Sequence, residues 1–205
     1  MKIGAWFLFA CDGRSFGVCF WKKVCNSRKI YLYFSHSEIN IKRLELNKSE
    51  IKNLFEIVKY PCDSASVEFP TQGEYLEVEL QNETGRIKFQ SDISRKNKIV
   101  NKATLQLRYK KIYTIRRIDF MGNHTNPPAP APDKIFFGFE EYVFLREDHI
   151  HFYIDGFGEK WALPLSKVPE LGIKKEDDLY EKMLRFFEYC NVHDMGVKVV
   201  KNLVF

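Results

Sequence analysis

Cysteine is sparse and scattered in this 205-residue chain: none of Cys11, Cys19, Cys25, Cys62 and Cys190 stands in a Cys-x-x-Cys pair. An odd, unpaired set provides neither a disulfide framework nor a four-thiolate zinc site, and reduced thiols in a cytoplasmic protein are the expectation. Long apolar runs are also missing. None approaches the roughly 18 to 20 residues of a membrane-spanning helix, so no membrane partner is expected. Leu8-Phe-Ala-Cys11 has a faint likeness to a lipoprotein cleavage box, but the apolar stretch before it is too short for a signal peptide. No P-loop, dinucleotide-binding glycine fingerprint, His-Glu-x-x-His or Gly-x-Ser-x-Gly occurs, so nucleotide-driven work and serine hydrolysis are poor fits and no cofactor is expected. There is no internal repeat.

Acidic residues vanish between Ile93 and Ile118, where nine Lys and Arg stand without one Asp or Glu. That block exceeds the net charge of +5, so the rest of the chain is net acidic. A local positive field of this kind suits a phosphate-rich partner, RNA or DNA, while solvated lysines on strands leave the same trace in a sequence.

Hydrophobic spacing gives the elements. Asn47-Lys-Ser-Glu50 is a capping box, followed by Ile51, Leu54, Phe55 and Val58 at helical spacing, and Tyr60-Pro61 ends that helix. A second helix is expected from Glu176 to Tyr189. Strands are expected at Ile30–Phe34, Val67–Phe69, Tyr75–Leu80, Arg86–Phe89, Thr104–Tyr109, Ile112–Phe120 and Val197–Phe205. Lys110-Lys111 is a turn or a continuation. The prolines between Asn126 and Pro132 mark Gly122–Asp133 as a surface loop, and Ile135–Leu145 is an extra strand or a lid. These elements predict an α+β fold: a curved, mostly antiparallel sheet, with a barrel as one form its curvature could take, flanked by two main helices. Residues 1–43 are expected to be an appendage and 44–205 a single domain.

The most informative stretch is His149–Leu165, which reads as a β-hairpin turning at Gly156-Phe-Gly158. Alternation puts Ile150, Phe152 and Ile154 on the core face and His149, His151, Tyr153 and Asp155 on the other. Three readings follow, and the residues leave them open. A basic, aromatic-bearing sheet face can bind nucleic acid or a protein partner, with Arg108 and Arg117 on phosphate, Gln106 and Asp119 beside them, and Trp161, Tyr153 and Tyr109 as stacking groups. A metal-independent, toxin-like endoribonuclease would use His149 and His151 as acid and base, Arg108 and Arg117 as the phosphate clamp and Tyr153 as a hydrogen-bonding or stacking group, with His124 the further catalytic candidate. A metal enzyme would bring His149 and His151, about 7 Å apart along one strand, to a single ion with His124, oriented by Asp119 or Asp155. Each residue also has a purely structural account: Trp161 as core, the histidines as a wet strand face, Arg117 and Asp119 as a sheet pair. The binding reading is preferred.

Several motifs occur together: Lys102-x-Thr104-x-Gln106-x-Arg108-Tyr109, Arg117-Ile-Asp119, His124-x-Asn126-Pro127, His149-x-His151-x-Tyr153, Gly156-x-Gly158-x-Lys160-Trp161-Ala162 and Tyr189-Cys-Asn-Val192. In this combination residues 44–205 resemble an uncharacterised bacterial and phage domain family. The resemblance implies no activity. It does imply that residues 1–43 precede the family's usual start, and that Pro128–Asp148 is a longer link than usual.

Overall fold

A computed structural model describes residues 46–63, 67–193 and 197–198. The expected appendage, the Ile30–Phe34 strand, the Leu8–Cys11 box and residues 199–205 lie outside the described residues.

Helix α1 (Lys48–Glu56) starts where its capping box dictates: Asn47 Oδ1 accepts the Glu50 N–H at 3.0 Å while the Glu50 carboxylate accepts the Asn47 N–H at 2.9 Å. It buries Ile51 and Leu54. Helix α2 (Leu179–Tyr189) begins with the same device at Asp178 and Glu181, three residues later than expected, and turns Met183, Phe186 and Phe187 inward. The expected start fails because the cap is Asp178; upstream, the Lys174 N–H is tied to Asp177 in a turn.

The strands are β1 (Tyr60–Pro61), β2 (Val67–Glu68), β3 (Tyr75–Gln81), β4 (Lys88–Ser94), β5 (Ala103–Tyr109), β6 (Tyr113–Thr125), β7 (Val143–Ile154), β8 (Gly158–Pro164) and β9 (Val197–Lys198). Seven form one antiparallel sheet in the order β1-β3-β4-β5-β6-β7-β8. The fold is therefore α+β with a curved sheet, and among the described residues β1 and β8 remain as its edges, so no barrel closes. The described part of the expected C-terminal strand, β9, pairs in parallel with β2, outside this sheet.

One apolar row crosses five strands in register, Ile93, Leu105, Ile118, Ile150 and Leu163, and all five are buried. On either side of it the register aligns Asp92, Gln106, Arg117, His151 and Ala162, and then Ser94, Thr104, Asp119, His149 and Pro164. Because strand side chains alternate, those two rows share the opposite face, which becomes the polar one.

Three expectations shift, and the open choice at Lys110-Lys111 falls to the turn. The strand expected at Arg86–Phe89 runs on to Ser94, burying Gln90, Ser91 and Asp92. Lys110 and Lys111 form a turn, with φ of 50° and 63°. Strand β6 continues to Thr125 through the start of the expected loop, and Ile135–Leu145 divides into a short 3-10 turn at Lys134–Phe136 and the beginning of β7. Register breaks at Leu107/Arg108, between Asp119 and Asn123, and at Phe152/Ile154 bend the sheet, as bulges do.

Candidate functional site: a histidine and aspartate cluster on the polar face

Asp119 and His149 are partners across β6 and β7, and Arg117 and His151 are the next pair on the same face. Two residues with left-handed backbone, Met121 (φ 50°) and Arg146 (φ 51°), then break the ladder beyond them. The displaced N–H groups are taken by side chains: Met121 N donates to Asp148 Oδ1 and Arg146 N to Asn123 Oδ1, both at 2.8 Å. Past this bend the His124 ring comes within 4.5 Å of the His151 ring and 5.8 Å of the His149 ring, centroid to centroid. Phe144 covers His149 at 4.4 Å. Gly122 makes room for the approach. A Cβ there would stand 2.7 Å from both Asp119 Cβ and His149 Cε1.

Each imidazole is locked by a backbone carbonyl. His149 Nδ1 donates to Glu147 O at 2.7 Å, His151 Nδ1 to Glu159 O at 3.0 Å, and His124 Nε2 to Lys160 O at 3.0 Å. A carbonyl only accepts, so the proton sits on the bonded nitrogen and the lone pair on the other. For His149 and His151 that lone pair is on Nε2, and the two Nε2 atoms stand 3.6 and 3.2 Å from Asp119 Oδ2. One ligand atom from each of Asp119, His149 and His151 lies within 4.8 Å of the others. Both histidines are fully buried, and His149 Nε2 has no hydrogen-bond partner among the described residues.

Asp119 is fixed from two further directions. Thr104 Oγ1 donates to Oδ1 at 2.6 Å and Arg117 Nε to Oδ2 at 2.9 Å. Arg117 also reaches Glu159 Oε1 through Nη1 at 3.2 Å and His151 Nε2 through Nη2 at 2.9 Å. The charges follow this geometry. Burial alone would raise the Asp119 carboxyl, but the Arg117 guanidinium and the Thr104 hydroxyl outweigh it and hold the group well below the usual carboxylate range. Burial lowers His149 to about 4, although its bond to Glu147 O works the other way. His124 is lowered as well, chiefly by burial.

The structure thus gathers His124, His149, His151, Arg117 and Asp119, and leaves the other expected residues elsewhere. Gln106 Nε2 and Arg108 Nη2 both donate to the buried Asp92, at 2.8 Å each, in a separate network one strand over. Trp161 is fully buried against Phe136 at 5.3 Å, so it has no free face for stacking. Tyr153 leaves the histidine face because the bulge after Phe152 interrupts alternation; its ring meets Tyr113 at 6.1 Å. It also lines a groove of about 430 Å³ with Ile51, Phe55, Arg116, Phe152 and Phe157 that includes none of the clustered residues. Asp155 lines that groove too.

Sequence reasoning missed Asn126, Asp92 and Thr104 as organisers. Asn126, read as a turn former, is buried beneath His124 and bonded to the Ala162 backbone. Thr104 could have been found from its place two residues before Gln106 on an alternating strand. Asp92 lay in a stretch with no apolar period.

The chain belongs to a family of unknown function, DUF6978, whose model matches residues 46–192. No curated protein and no solved structure matches it. Among the described residues, no helix is long and apolar enough to cross a membrane.

Proposed function

We propose that this protein holds a divalent transition-metal ion of zinc type on Asp119, His149 and His151 and uses it for hydrolysis. The observation that carries this reading is the convergence of two carbonyl-locked imidazole lone pairs on one carboxylate oxygen. Two lone pairs facing an anion repel, and a cation between them removes the repulsion. Ligands bound tetrahedrally at about 2.0 to 2.1 Å are separated by roughly 3.4 Å, close to the 3.2 and 3.6 Å spacings around Asp119 Oδ2. The carbonyls behind the imidazoles, with Thr104 and Arg117 behind the carboxylate, are the outer partners that orient such ligands. Three protein ligands and an open fourth position are the arrangement of hydrolytic zinc centres, in which a bound water becomes acidic near neutral pH. This develops the metal reading that the sequence leaves open for His149 and His151, with Asp119 as a ligand in place of His124.

The other readings have less support. A metal-free ribonuclease needs an acid and a base that exchange protons near neutral pH, whereas burial keeps His149 neutral at pH 7. Several cations of the basic tract are already engaged: Arg108 and Arg117 bond carboxylates, Lys111 pairs with Glu79, and Arg116 lies between the rings of Phe55 and Phe152. Lys96, Lys98 and Lys110 are left exposed, and they are the residues a nucleic-acid partner would have to use.

The test is metal content after incubation with zinc and desalting. One ion per chain is expected, lost in His149→Ala and His151→Ala and kept in Arg108→Ala. Zinc at background level in the native protein overturns the reading. With the ion established, chelator-sensitive cleavage of a panel of phosphodiester and carboxylic ester substrates tests the hydrolytic part.

A further inference from the structure

The contact between Arg117 and His151 conflicts with an ion at the same place, and the conflict has one resolution. With Nδ1 donating to Glu159 O, His151 Nε2 carries one lone pair. At 2.9 Å from Arg117 Nη2 that lone pair must be accepting, since a second proton on the ring would set two donors, and two cations, against each other. The same guanidinium also occupies Asp119 Oδ2 through Nε. Two of the three ligand atoms therefore already serve a cation supplied by the chain itself.

We infer that Arg117 and the metal ion are alternative occupants of this centre: the ion can take His151 Nε2 only when the guanidinium has left it. The inference rests on the metal reading above and adds its regulation. Arg117 has somewhere to go. Its side chain is 25% exposed, and Nη1 is already bonded to Glu159, whose side chain is 39% exposed. A guanidinium turned out toward Glu159 keeps that partner and frees both ligand atoms. The side chain then stands beside the loaded centre as a cation for an oxyanion of the substrate. In the ion-free protein the same group neutralises Asp119 and satisfies His151, so the empty centre is a closed state of the protein.

Affinity for the ion is then reduced by the fraction of molecules in which Arg117 holds the centre; if that is about nine in ten, removing the guanidinium tightens binding about tenfold. Charge repulsion alone would have a similar effect in Arg117→Met, so the deciding variant is Arg117→Lys. It keeps the positive charge but ends near the position of the guanidinium carbon, short of where Nη2 meets His151.

The experiment is a titration of the full-length chain with cobalt(II), read by the visible absorption of tetrahedral cobalt, for the native protein, Arg117→Met, Arg117→Lys and His149→Ala. Both Arg117 variants are expected to bind about tenfold tighter than native, and His149→Ala not at all. If Arg117→Lys binds like native or more weakly while His149→Ala abolishes binding, mutual exclusion is wrong and the metal reading stands. If neither the native chain nor any variant binds, both fall. A variant that does not fold is replaced by NMR of the native histidine and arginine side chains during the titration. Loss of the Arg117 to His151 bond as the ion binds supports the inference, and its persistence in the loaded protein overturns it.

Discussion

Asn126 and Ala162 are joined by two hydrogen bonds, Ala162 N to Asn126 Oδ1 and Asn126 Nδ2 to Ala162 O, each 2.9 Å long. The side-chain amide thereby takes the place of a neighbouring strand on β8, an edge of the sheet. It also donates to Phe139 O at 2.9 Å and stands 3.1 Å from His124 Nε2, tying the 126–142 excursion and the His124 ring to β8 in one step.

Asn126→Ala leaves the Ala162 N–H and two carbonyls without this partner in a buried place. Each unsatisfied group costs about 1 to 3 kcal/mol, so a loss of roughly 3 kcal/mol in urea denaturation is expected. Asn126→Asp keeps an acceptor for Ala162 N but turns a carboxylate toward two carbonyls, and is expected to be no better. A change of less than about 0.5 kcal/mol in Asn126→Ala would mean that the bridge contributes nothing to stability.

Gly122 is needed for space rather than for backbone conformation. Neither neighbour of its absent Cβ can yield cheaply: one is the Cβ of Asp119, bonded to its own backbone, and the other is Cε1 of a ring anchored on Glu147 O. Gly122→Ala should push Asp119 and His149 apart, weakening cobalt binding about tenfold or more while the chain still folds. Unchanged affinity would show that the two residues need not approach this closely to hold the ion.

The low pKa of His149 sets the acid side of the stability profile of the ion-free protein. Its unfolded value is near 6.5 and its folded value about 4, so between these the unfolded chain binds the extra proton. The contribution is fully present above pH 6.5 and is lost as pH falls toward 4, up to about 3 kcal/mol in all. Asp119, also held low, extends the loss to still lower pH. Denaturation midpoints should therefore fall between pH 6.5 and 4 in the native protein and much less in His149→Gln; parallel curves would remove His149 as the cause.

Regular stretches were legible in the sequence because their signals are local. The capping box of Asn47 and Glu50 fixed the start of α1, and alternation at His149, Ile150 and His151 assigned their faces correctly. What escaped depends on partners far along the chain. Gln90, Ser91 and Asp92 do not read as a buried strand, since what makes their burial tolerable is Gln106 and Arg108 from β5. Alternation failed at Tyr153 because a bulge intervenes, and the bulges that bring His124 over the cluster need Asn123 and Asp148 to accept the freed N–H groups. The histidines stand on the polar face that alternation assigns them, yet they are buried, because the bent ends of β6 and β7 cover them with His124 and Phe144.

Lys59 and Cys190 predict an unusual alkaline profile. Lys59 is fully buried, and its Nζ donates to Phe55 O, Ile57 O and Cys190 O at 2.9, 2.7 and 2.9 Å, joining the carboxyl ends of α1 and α2. Burial lowers its pKa from 10.5 to about 8, so between these values the unfolded chain holds more protons and stability rises with pH. Burial raises the Cys190 thiol from 9 to about 12, so between these values the folded chain holds more protons and stability falls with pH. The two slopes oppose each other from about pH 9 to 10.5. Stability should therefore climb from pH 8 to 9, level off, and decline beyond 10.5, whereas in Cys190→Ala the climb should continue to 10.5. The plateau thus belongs to the pair, and a Cys190→Ala protein with the native plateau would break the assignment, because nothing would then offset the slope from Lys59.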